Sequence, residues 1–153
     1  MRDRLRALRR LVAVFGMVEE IHSTETRGAA LAVTEAQMAV RAEAARTHEA
    51  RQGGREALLT DDGLGWSLAV VHEEVALRRR KRLEPLLEER EERHEEARER
   101  YVASRLRNEQ MKSLVEDASA QIAAEEERRA QAFADDRFLS RKEQIRRREM
   151  NLS

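Results

Sequence analysis

Apolar residues recur by alternate threes and fours along most of this chain. From the amino end the steps are Leu5, Leu8, Val12, Phe15, Glu19, His22, Thr26, Ala29, Val33, Ala36 and Val40. A second series starts at Leu83 and runs through Leu87, Arg90, His94, Ala97, Tyr101, Ser104, Asn108, Met111, Val115, Ala118, Ile122, Glu125, Arg129, Ala132 and Asp136 to Leu139. Both are heptad seams, the spacing that puts one stripe of a helix against another helix. The first is bulky at its start and alanine-rich after Ala29. The second is strong at both ends and polar between them. Small seam residues let a partner helix come close, but each contributes little burial energy.

The punctuation between the seams is concentrated. Four of the six glycines fall between Gly53 and Gly65, and none follows. Gln52-Gly53-Gly54 and Thr60-Asp61-Asp62-Gly63-Leu64-Gly65 carry turn chemistry. From Trp66 onward Pro85 is the only strong breaker. A sheet needs turn residues about every ten positions, so this stretch predicts one long helix.

The predicted architecture is all-α: a long antiparallel two-helix coiled-coil hairpin forming a single domain over 1–153. Its parts are a helix over 3–52, a tip loop over 53–65 and a longer helix over 66–147. A short loop folds two such helices back on each other, since each seam needs the other. At about 1.5 Å per residue they span roughly 75 Å and 120 Å. The amino end then pairs near residues 110–120, and the last part of the second helix projects as an unpartnered extension. Pro85 removes one backbone donor and clashes with the preceding turn, which predicts a kink rather than a break.

Composition narrows the function classes. Charged side chains make up 39% of the 153 residues and aromatics 3%, as in charged coiled coils and unlike most globular enzymes. The net charge of +0 supplies no global attraction to nucleic acid or anionic lipid. Local clusters exist: Arg78-Arg79-Arg80-Lys81-Arg82, glutamates over 88–96, and basic residues from Arg141 to Arg148. The five basic residues at 78–82 point all round a helix, and the glutamates from Glu84 onward can pair with them at i+4. That argues for a protein partner and against nucleic acid. Cysteine is absent, so no disulfide or thiolate metal site exists. No stretch approaches the ~20 apolar residues of a membrane span. The run over 11–18, which follows Arg9 and Arg10, is read as the buried face of the first helix. Glu19 and Glu20 follow it at once, with no cleavage pattern beside it.

No constellation for catalysis or cofactor binding emerges. His22, His48, His72 and His94 are dispersed over both arms, without the HExxH spacing of a zinc helix. His22 and His94 fall on the seams, where polar residues set register. There is no phosphate-binding loop and no nucleophile elbow. No cofactor and no enzymatic activity are expected.

Several features together resemble the FliJ family of flagellar type III export proteins and its injectisome relative, YscO. A basic, apolar segment opens the first helix. A tip with tryptophan, Gly63-Leu64-Gly65-Trp66, leads into a longer second helix. The charged run Glu127-Arg128-Arg129-Ala130-Gln131-Ala132-Phe133-Ala134-Asp135-Asp136 resembles the family's closing Gln-x-x-x-Asp-acid element, and a basic tail follows it. Pro85 and the large tip loop depart from the pattern. The resemblance implies a non-enzymatic adaptor, similar to the central stalk of rotary ATPases. Its implied partners are a hexameric export ATPase, the export-gate membrane protein and substrate-specific export chaperones. Its implied place is the cytoplasm, peripheral at the inner face of the cell membrane.

Candidate partner-binding residues form two groups. Trp66, Val70 and Leu77 open the second helix, where the tip offers little core; Trp66 packing on Leu58 or Leu59 is the structural alternative. Gln131, Phe133, Asp135, Asp136, Phe138 and Leu139 lie on the extension. Two other readings stay open. One is a structural or scaffold homodimer in which the second helix pairs with its counterpart in another chain. The other is a membrane-surface or nucleic-acid binder that uses the arginine clusters.

Overall fold

The chain is an all-α two-helix hairpin, α1 (Arg2–Leu59, 58 residues) followed by α2 (Gly63–Asn151, 89 residues). The structure is a computed structural model and describes residues 1–152, so Ser153 lies outside the described residues. The predicted seams are the observed ones. Every α1 position from Leu5 to Val40 in the first series is buried or half-buried, and the same steps continue through Glu43, Thr47, Ala50, Gly54 and Ala57. Every α2 position from Leu83 to Glu125 is likewise covered, whereas Arg129, Ala132, Asp136 and Leu139 are exposed.

The most buried residues are small or polar: Ala36, Ala57, Ala76 and Ala97 beside Glu43, Thr47, Ser104 and Asn108. A buried methyl contributes about 0.8 kcal/mol, against roughly 1.5–3 for a fully buried Leu or Phe. Close approach of the helices is thus obtained with little hydrophobic stabilisation per layer. Each helix depends on its neighbour, because a lone helix is marginal in water.

Two compact units divide the chain: Met17–Arg105, and Met1–Gly16 with Leu106–Ser153. The first contains the turn. The predicted tip loop over 53–65 is too long, because α1 continues to Leu59 and α2 begins at Gly63, ahead of Trp66. Only Thr60, Asp61 and Asp62 connect them. Asp61 takes the left-handed conformation, φ 55°. The Asp62 N–H donates to the Ala57 carbonyl at 2.8 Å and the Asp61 N–H to Leu58 at 3.4 Å, which is the Schellman closure of a helix. Asp62 then caps α2: its Oδ1 accepts from the Gly65 N–H at 2.9 Å and its carbonyl from the Trp66 N–H at 3.0 Å.

The glycines read as turn residues serve the helices instead. A Cβ on Gly54 would lie 3.4 Å from the Ala69 Cβ, and one on Gly65 would run into the capping Asp62 carboxylate. Their missing side chains bring α1 and α2 together just behind the turn. Further along this unit, Arg51 Nε pairs with Glu73 at 2.6 Å, and Arg90 donates to the Ala32 carbonyl at 3.2 Å. Pro85 lies inside α2, which runs unbroken through it. Pro85 and Lys81 are both exposed, so the carbonyl deprived of its helical donor lies on the solvent side.

In the second unit Met1, Arg4 and Leu8 form a shallow groove with Leu114, Ala118 and Ile122. Arg2 forms an ion pair with Glu126, whose carboxylate raises the Arg2 guanidinium above its already high ordinary value. The amino end therefore meets α2 in the predicted 110–120 region, at Leu114 and Ala118, and a little beyond it, at Ile122 and Glu126. The apolar run over 11–18 is only partly a buried face. Val12, Phe15 and Val18 are half-buried, while Leu11, Val14 and Met17 are exposed.

Candidate partner-binding surfaces

Small residues on both helices leave a groove beside the turn in the Met17–Arg105 unit. Its volume is about 740 Å³. Ala50, Gly53, Ala57, Gly65, Ala69 and Ala76 are among its lining residues, together with the larger Leu68, His72 and Val75. Charged groups of both signs are also there, including Glu43, Glu49, Glu56, Arg46 and Arg79. A groove lined by apolar side chains and by charges of both signs suits an amphipathic helix, which presents both kinds of group.

Of the predicted tip residues, Trp66 and Val70 are exposed at 43% and 42%, and Leu77 is half-buried. The Trp66 ring lies beside Gly54, its Cδ1 3.9 Å from where a Cβ would sit. Leu58 and Leu59 remain open to solvent. Trp66 and Val70 share one face of α2, whereas the groove opens on Leu68, His72 and Val75. Sequence reasoning did not single out that second face. Its signal is the series Leu64, Leu68, Val71, Val75, all exposed and spaced by four, three and four residues.

The other surface is the extension of α2 in the second unit. Every described residue from Glu126 onward is exposed. Gln131 donates to Asp135 at 3.2 Å, and the Arg137 guanidinium sits 4.7 Å from the Phe133 ring centroid. At about 100° per residue, Gln131, Asp135, Phe138 and Leu139 share one face with Ile145. Phe133 points to the opposite side, and Asp136 lies between. The predicted residues thus divide into a four-residue face and a separate Phe133–Arg137 pair.

The basic run over 78–82 is tied down in places. Arg78 pairs with Glu74 at 2.6 Å and Arg80 with Glu84 at 3.0 Å. His22 Nδ1 lies 3.2 Å from Glu25. Among the described residues no group of three His, Asp or Glu side chains is placed to hold a metal ion. Among the described residues no helix is long and apolar enough to cross a membrane. Comparison with family models, with curated proteins and with solved structures finds no match to this chain.

Proposed function

We propose that this protein is a non-enzymatic adaptor of a bacterial type III protein export apparatus, acting like the FliJ family it resembles. One observation carries the reading. The last part of α2 is a bare helix that exposes Phe133, Phe138, Leu139 and Ile145 among charges of both signs. Apolar side chains left uncovered on a lone helix mark an interaction site. The family resemblance assigns that segment to the ring of an export ATPase, with the export gate and the export chaperones as further partners. The groove beside the turn supplies a second surface for one of these. The working place in this reading is the cytoplasm, at the inner face of the membrane, with no span of its own.

The deciding experiment removes residues 127–153 and measures assembly and turnover of the export ATPase from the same cell. The truncated protein is expected to keep its thermal melt within a few degrees, because every described residue of the segment is exposed, and to lose stimulation of the ATPase. Stimulation at wild-type concentrations by the truncated chain would overturn the assignment.

A further inference from the structure

α1 carries a second heptad seam on the face opposite the one that packs on α2. Within the Met17–Arg105 unit it reads Met17, Ile21, Thr24, Gly28, Leu31, Glu35, Met38, Ala42, alternating steps of four and three. It is offset by two positions, or about 200°, from the intrachain series Glu19, His22, Thr26, Ala29, Val33, Ala36, Val40. All eight residues are exposed, and Met17, Ile21, Leu31 and Met38 are each more than half open to solvent. Apart from its chain neighbours and the backbone of its own helix turn, no described residue lies within 4 Å of a Cβ built on Gly28. Glycine there costs the helix about 1 kcal/mol relative to alanine, with no return inside the monomer.

We infer that this face is the interface of an antiparallel, two-fold symmetric homodimer whose axis passes between Gly28 and Leu31. Antiparallel α-helical seams pair one heptad position with the other, and this register fits size to size. Leu31 of each copy meets Gly28 of the other, Ile21 meets Met38, and Met17 meets Ala42. The flanking charges also match, since Glu20 of one copy faces Arg41 of the other. Neither forms an ion pair with any described residue of its own chain. The two symmetry-related polar layers set Thr24 of each copy against Glu35 of the other, Glu35 being held 3.8 Å from Arg90 of its own chain. Polar layers of this kind fix register.

The parallel arrangement fails on the same residues. It apposes Glu35 to Glu35, sets Glu20 beside Glu25 and Arg41 beside Arg46, and leaves gaps at the Gly28 and Ala42 layers. Sliding the antiparallel pair by one heptad puts Leu31 or Met17 against Glu35. A second copy is therefore the occupant whose shape and charge this seam matches. The interface uses neither the groove beside the turn nor the extension. It also differs from a scaffold built by pairing second helices, and it stands independently of the export reading.

The chain has no cysteine, so introduced ones report cleanly. Sedimentation equilibrium of the full chain is expected to give twice its 17.7 kDa mass. Leu31→Glu should weaken association about a hundredfold while leaving far-UV circular dichroism unchanged. Arg41→Glu should weaken it less, and Glu20→Arg combined with Arg41→Glu should restore it. Mixed Met17→Cys and Ala42→Cys chains should crosslink to each other, while Met17→Cys alone should not. A wild-type monomer at every concentration overturns the inference. So does association indifferent to Leu31→Glu, or a homotypic crosslink at position 17. ATPase stimulation is a separate readout, so either proposal can fail without the other.

Discussion

Asp62 closes one helix and opens the next within a single residue. Its N–H completes the Schellman bond to Ala57, and its carboxylate accepts the Gly65 N–H. Asp62→Ala keeps the backbone bond and loses the cap, and is expected to lower stability by about 1 kcal/mol in urea unfolding. Asp61 is the opposite case. It holds φ 55° without being glycine, a conformation that costs L-residues roughly 1–2 kcal/mol. Asp61→Gly should therefore raise stability by roughly 0.5–1 kcal/mol, part of the relief being offset by a freer unfolded chain. Glu43 is the other residue out of place. It is 6% exposed; one carboxylate oxygen meets Arg46 and the other is buried without a hydrogen bond. Replacing a buried, half-satisfied carboxylate by an apolar chain of similar length removes a desolvation cost. Glu43→Met is expected to shift the urea midpoint upward, equivalent to about 1–2 kcal/mol, and an unchanged or lowered midpoint would contradict this account.

At the scale of the element, stability should follow how far each stretch is covered. Every described position beyond Glu126, the partner of Arg2, is exposed, so the amides there should exchange at nearly the unprotected rate of a fraying end. Amides around Ala36, Ala97 and Ser104, among the most buried seam positions, should exchange slowest. Mass-resolved hydrogen exchange checks this, and protection over residues 130–145 equal to that at Ala97 would require a covering partner. The same elements show what was legible in the sequence. Period located both seams, because a heptad stripe is a local property of the chain, but it ran on to Leu139; the unpartnered end of α2 was legible from the difference in helix length. The turn was misplaced because glycine has two uses that look alike in sequence. Gly53 and Gly54 read as a break, yet Gly54 lets Ala69 approach, and the left-handed residue is an aspartate. The groove at Leu68, His72 and Val75 was missed for a related reason. It is made jointly by two helices whose contact register depends on the exact position of the turn. Trp66 and Val70 drew attention by residue type, and type does not say which face a partner helix leaves open.

At the scale of the whole molecule, the seam does not by itself require that one chain close on itself. An open chain exchanging α1 with a second copy would bury the same Ala36, Ala57, Ala76 and Ala97 layers. Only the connection differs. A three-residue turn with both helix ends capped holds the two seams at high local concentration, whereas exchange must straighten the turn and give up the Schellman and Asp62 bonds. Closing a long loop costs entropy that grows only slowly with length, so contacts far from the turn are little penalised in the closed form. Arg2 with Glu126, 124 positions apart, is such a contact. Leu8 and Val115, in the same compact unit, are both half-buried, and Leu8 lines a groove with Leu114 and Ala118. A Leu8→Cys, Val115→Cys chain oxidised at low concentration is therefore expected to form its disulfide within one molecule. On a non-reducing gel it should run as a compact monomer. Association through the outward face of α1 would not alter this outcome, because that face lies opposite the seam. Disulfide-linked dimers that persist on dilution would mean that α1 is exchanged between chains, and the capped turn would then not be what directs the fold.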